Sequence, residues 1–359
     1  MQNTHHIKWF LLTILSIFTL LLAACGGADN SNTSTSSTAA PVNGFGIAAN
    51  HVHSLIALPN NVLVLATHYG SYRSEDSGKT WTQVSGGNNQ LMQGVMDYSL
   101  TANPLNQQRL YLLTQPAVNN HSGILGLYTS ANQGRTWKLA NATANFTSNP
   151  VGIPFTTAGN DTPDEVYIYV RSLAALGLKV SLDNGQHFSN TGTLPFGDLL
   201  GLLALPGEQG QILAYGNDGL ARSTDGGIHW QVIKGITGSI FDMVTSGPRS
   251  PIYASGDNGI YVSKDGGKTF TPVNQTYYAF LTASPSQPTT LYGKTGTSIY
   301  HSTDGGHTWS AMPHISGNLG NLAVDPANAS QLYLSLSYPT EVYRFNPGSN
   351  AWSSLTPKA

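Results

Sequence analysis

Cysteine, charge and any surplus of basic residues are what this chain has least of. It contains one cysteine in 359 residues, which excludes a disulfide framework and any cysteine-built zinc site. Charged residues make up 9%, where about 25% is usual for a soluble domain, so Ser, Thr, Asn, Gln and Gly must cover most of the surface. Sixteen basic against 18 acidic side chains give a formal net charge of −2 and leave no basic stripe for phosphates, which argues against nucleic acid as a partner. Low charge does not mean disorder here, because 40% of the residues are apolar and can bury a core. Thirty-nine glycines and 19 prolines point to many tight turns, hence to an all-β chain.

Residues 1–8 carry His5, His6 and Lys8 but no acid, and from Trp9 to Leu22 the chain is apolar except for Thr13, Ser16 and Thr19. A basic start, a short apolar stretch and small residues after it describe a secretory signal peptide. The stretch is short for a stable membrane span. Leu22-Ala23-Ala24-Cys25 resembles the bacterial lipobox, in which the cysteine is lipidated and becomes the first mature residue. The resemblance implies a lipoprotein signal peptide over 1–24 and lipidation at Cys25. It further implies an exported protein held on the cell membrane by its lipid alone, facing outside the cytoplasm. The rest of 25–43 is Ser-, Thr- and Asn-rich with no aromatic residue; it cannot offset its ordering entropy and reads as a flexible tether. The folded domain is expected over 44–359, with order beginning near Phe45.

One octet recurs through that domain. It runs Ser74-Glu75-Asp76-Ser77-Gly78-Lys79-Thr80-Trp81, then Ser130 to Trp137 with Asn132 in the acidic place. Further copies are Ser181 to Phe188 with Asp183, Ser223 to Trp230 with Asp225, Ser263 to Phe270 with Asp265, and Ser302 to Trp309 with Asp304. A seventh, eroded copy keeps a preceding strand and the closing Trp352. Each clear octet joins two strands, so Gly supplies positive φ and the Ser and Asp side chains bond to the turn's own backbone. The closing aromatic is expected to pack between sheets. Two further apolar segments precede the strand that leads into each octet, giving four strands in a unit of about 40 residues, the blade of a β-propeller. The expected fold is therefore all-β, a seven-bladed propeller of four-stranded antiparallel blades, with six clear repeats and one degenerate one.

These octets resemble the Asp-box, or bacterial neuraminidase repeat. That repeat is shared by sialidases, sortilin-type receptors, xyloglucan-active glycoside hydrolases and photosystem II assembly propellers. The resemblance covers about residues 50 to 356 and implies the propeller; function varies across these families. Sialidase activity would need a cluster of three arginines, which grip a carboxylate bidentately. Of the seven arginines only Arg171 reaches the face opposite the octets, and the Phe/Tyr-Arg-Ile-Pro signature is absent. Xyloglucan-active relatives use two tandem propellers, whereas one is expected here.

The face formed by the connections between blades and the second-to-third strand loops is the expected binding face, since such loops carry function on rigid scaffolds. It should present His53, His68, Tyr69, Asp97, Tyr98, His121, Arg171, Asp242, Tyr277, Tyr278, Asn321 and Tyr338. His51 and His53 alternate on one strand, but no third ligand can be named, so no metal site and no cofactor are expected. The reading is a monomeric, surface-tethered, non-catalytic propeller that binds a protein or glycan. The alternative is a glycoside hydrolase using paired carboxylates on the same face, Asp97 and Asp242.

Overall fold

The computed structural model describes residues 44–47, 49–117, 122–145, 154–159, 164–197 and 199–357. They form seven four-stranded antiparallel sheets, each made of four strands consecutive in the chain. Blades 1 to 7 span residues 52–83, 95–142, 154–190, 201–232, 240–274, 280–311 and 319–354. Among the described residues the only helical elements are two 3₁₀ turns, Thr143–Asn145 and Arg171–Leu176. The seven-bladed all-β architecture read from the repeats is the architecture observed.

The strands differ because their surroundings do. Second strands, such as Val62–Thr67, Val166–Val170 and Ile212–Gly216, are buried at every position. They lie between two neighbouring sheets, so both faces must be apolar and the usual polar alternation disappears. Fourth strands are the opposite. Ser189–Asn190, Gln231–Val232 and Ser310–Ala311 are two exposed residues each, and a short, mostly polar edge offers little to an incoming strand. Tyrosines of the second strands reach across to the next blade. The Tyr292 hydroxyl donates to the Ala329 carbonyl at 2.7 Å, and that of Tyr111 donates to Asp164.

Every clear octet is the turn between a third and a fourth strand, and its hydrogen bonds repeat. In the sixth copy the Ser302 hydroxyl donates to Asp304 at 2.8 Å and accepts from the Gly306 amide at 2.9 Å. Asp304 in turn accepts from the Thr308 amide and hydroxyl. These Thr308 contacts hold the Asp304 carboxyl down at about 2. The last glycine of the octet, at φ between 78° and 88° in all six copies, suits a conformation that L side chains rarely adopt. A Cβ there would also press on the preceding blade: at Gly267 it would lie 3.0 Å from Leu213, and at Gly78 it would meet Leu355 of blade 7.

That last contact belongs to the ring closure. No strand is exchanged between blade 7 and blade 1. The first strands pack on one another in chain order around the ring, and Leu319–Asp325 returns to Val52–Leu58. The seam is sealed by a core of Phe45, Leu55, Leu65, Tyr72, Tyr333, Val342 and Leu355. Backbone bonds from the Gly46 and Val52 amides to the Thr340 and Ser337 carbonyls cross it.

Candidate functional site

Four of the seven first strands carry an irregularity where they start, on the side of the inter-blade connections. In blade 1, Val52 pairs with Thr67 and Ser54 with Ala66, leaving His53 as the extra residue of a bulge. Blade 2 leaves Tyr98 over between Asp97 and Ser99, and blade 5 leaves Phe241 between Ile240 and Asp242. In blade 7 the shift falls between Leu319 and Leu322 and takes in Asn321. A bulge re-aims a side chain and tends to sit beside functional sites. Here it brings aromatic groups together. The His53 and Tyr98 rings lie 4.6 Å apart, and Phe241 and Tyr277 lie 5.7 Å apart.

Around His53 the structure assembles a group of imidazoles. His51 precedes the first strand of blade 1, and His68 stands in the turn between the second and third strands, where its amide bonds to the His51 carbonyl. That turn is pinned by the Tyr69 amide donating to Asn50 at 2.9 Å and by the Thr67 hydroxyl donating to the Gly70 carbonyl. Asn321 donates to the His53 carbonyl from blade 7. One candidate ligand atom from each of His51, His53 and His68 lies within 4.8 Å of the others. The sequence named no third candidate beside His51 and His53; cross-strand register brings His68 to that position. All three imidazoles titrate below the ordinary histidine range because burial disfavours their charged form, with His68 near 4.

The two acids of the expected catalytic pair have other contacts. Asp97 is fully buried, and one of its oxygens accepts from the hydroxyls of Ser71 and Ser85 in and beside blade 1. Asp242 accepts from the Leu281 amide of blade 6 at 2.8 Å and from Tyr215 of blade 4 at 3.4 Å. Both act as clips between blades. Burial raises each carboxyl to about 6. The second oxygen of Asp97 has no hydrogen-bond partner.

Other members of the expected face are distributed unevenly. Tyr69 and Tyr338 are exposed, at 44% and 46%, and Arg171 opens the 3₁₀ turn after the second strand of blade 3. Tyr278 is not on the face. It is 2% exposed and lies against Trp309, with ring centroids 4.2 Å apart, while Tyr277 meets Phe241. His121, Cys25 and all of 1–43 fall outside the described residues. Sequence reasoning missed Lys294. Its ammonium is buried, donates to the carbonyls of Leu319 and Gly320, and stands 4.1 Å from the centre of the Phe280 ring. A lysine inside an apolar second strand, Leu291–Thr295, is the signal that could have found it.

Six of the seven blades close their third-to-fourth strand connection with this hydrogen-bonded turn, the arrangement expected of an Asp-box β-propeller. The BNR/Asp-box repeat family model matches residues 300–311, around the sixth octet. Among curated proteins the chain is similar to the probable oligoxyloglucan-reducing end-specific xyloglucanase of Neosartorya fischeri, 28% identical over 205 residues. That match takes in 48% of this chain and 25% of the relative. Among solved structures it resembles the GH74 enzyme of Niastella koreensis at 18% identity and a TM-score of 0.64, over 84% of this chain and 54% of the other. It also resembles YCF48 from Cyanidioschyzon merolae at 12% identity and a TM-score of 0.58, over 84% of this chain and 97% of the other. At such identities the structural matches show the fold. The chain spans about half the length of the GH74 enzyme and a quarter of the curated relative.

Proposed function

We propose that this propeller is a glycoside hydrolase directed at xyloglucan-type polysaccharide, engaging it across the inter-blade face. The observation that carries the reading is the match to a xyloglucanase among curated proteins, joined by the likeness to a GH74 enzyme. The expected main reading, a propeller without chemistry, has no such support. In the proposal Asp97 and Asp242 supply the carboxyl pair, one as general acid and one as nucleophile or base; a carboxyl near 6 is suited to proton donation at neutral pH. The burial of Asp97 favours a second reading, in which the face holds the polysaccharide without cutting it.

Incubating the purified protein with xyloglucan and measuring both reducing-end release and retention on the polymer separates the two. Reducing ends that vanish in Asp97→Asn and Asp242→Asn, with both variants still folded at the assay pH, support the hydrolase. Retention without release supports the binding reading, and neither retention nor release overturns both.

The proposal includes display at the membrane. The support is the Leu22-Ala23-Ala24-Cys25 motif. Among the described residues no helix is long and apolar enough to cross a bilayer. Wild-type protein is expected in the membrane fraction, and a Cys25→Ala variant is expected to be released or left unprocessed. Wild-type protein found wholly in the medium would end this part of the reading.

A further inference from the structure

We infer that His51, His53 and His68 form a zinc-binding site at the start of blade 1, with the fourth coordination position left open. Three observations carry this independently of the polysaccharide reading. The first is convergence: one ligand atom from each imidazole lies within 4.8 Å of the other two, the one such cluster among the described residues.

The second is an unmet need. Nε2 of His53 and Nδ1 of His68 are buried without any hydrogen-bond partner. His68 is only 9% exposed, so water does not solvate these atoms freely. Buried polar atoms left unpaired are rare and costly. A cation among the three rings would satisfy both at once.

The third is how the site is held. His53 is the extra residue of a bulge, His68 sits on a two-residue turn whose amides are bonded to His51 and Asn50, and Asn321 fixes the His53 carbonyl. These contacts fix the backbone from which the three rings project. The rings are not arranged as a simple stack: His51 and His53 meet at 73° and His51 and His68 at 42°.

The donor set selects the ion. Three neutral nitrogens with no carboxylate or thiolate suit Zn²⁺ better than Mg²⁺, Ca²⁺ or Mn²⁺. Zinc–nitrogen bonds of about 2.0–2.1 Å place tetrahedral ligands roughly 3.4 Å apart. Closing the triangle from 4.8 Å therefore asks for about 1 Å of ring movement, within side-chain freedom. His51 is half-buried and Tyr69, next to His68, is exposed, so the cluster lies close to solvent. A three-histidine site with one open position holds a water or a ligand oxygen there.

The test uses the full protein, stripped with chelator and titrated with Zn²⁺ alone by calorimetry, and with Co²⁺ as a visible-absorption probe. One equivalent of Zn²⁺ should bind, raise the melting temperature, and be weakened about 100-fold or more in both His51→Gln and His68→Gln. His51 lies before a strand and His68 in a turn, and the apo melting curves of the two variants report whether they fold. Co²⁺ should give the intense visible bands of a tetrahedral site. Absence of binding would overturn the inference. So would binding that persists in both variants, as it would at the exposed His187–Asp183 or His229–Asp225 pairs. Weak octahedral Co²⁺ bands would overturn it too.

Discussion

Trp309→Ala is expected to lower the stability of the propeller by about 3–5 kcal/mol, read from urea or thermal unfolding. The indole closes the sixth octet. Its ring lies 4.2 Å from that of Tyr278, and its N–H donates to the Gly306 carbonyl at 2.9 Å. Gly293 makes this stack possible, since a Cβ at that position would lie 2.7 Å from the Tyr278 ring. Removing the indole leaves a void bounded by Tyr278, Tyr300 and the second strand of blade 6, which cannot close without moving a packed sheet. Asp304→Ala in the same turn should cost far less, about 1 kcal/mol, because Asp304 is exposed and water can take over the amide it leaves. A loss at Trp309 no greater than the loss at Asp304 would contradict this account of the turn.

The second large effect is a pH dependence located at Asp97. Its carboxyl is raised to about 6 by burial, against the hydroxyls of Ser71 and Ser85, which pull it down. An unfolded aspartate titrates at about 3.9, so between roughly pH 4 and 6 the folded state holds a proton that the unfolded state has lost. The stability this group contributes is therefore present below pH 4 and lost as pH rises through 6. Asparagine imitates the protonated form and removes the dependence. Wild type should gain on Asp97→Asn by about 2–3 kcal/mol between pH 7 and pH 4, a shift of about two pK units. Parallel stability–pH curves for the two proteins would show that the Asp97 carboxyl does not titrate as its burial requires.

The parts of the fold that were legible in the sequence are those whose chemistry is local. Ser302, Asp304, Gly306 and Thr308 bond to one another within one turn, so their spacing alone reports the structure. Position on the face was harder to read. Tyr277 and Tyr278 are adjacent and identical in type, yet one meets Phe241 and the other enters the core in the room left by Gly293; both lie in the connection before Phe280, where no strand alternation can be read. Asp97 lies on a first strand as expected, but its partners Ser71 and Ser85 come from the neighbouring blade, a contact that no spacing within blade 2 records. His68 escaped for a similar reason. It joins His51 and His53 only through strand pairing and a bulge, and a bulge leaves no mark in the pattern of residue types.

The closure of the ring has a consequence for the order of the chain itself. Blade 7 meets blade 1 through the same kind of contact that joins other neighbours: first strand beside first strand, and an octet glycine against an apolar side chain of the preceding sheet. Since no strand crosses that seam, the fold does not depend on which blade comes first. A polypeptide circularly permuted to start at blade 4, with its original ends tied by a short linker, would present the same surfaces to every partner sheet.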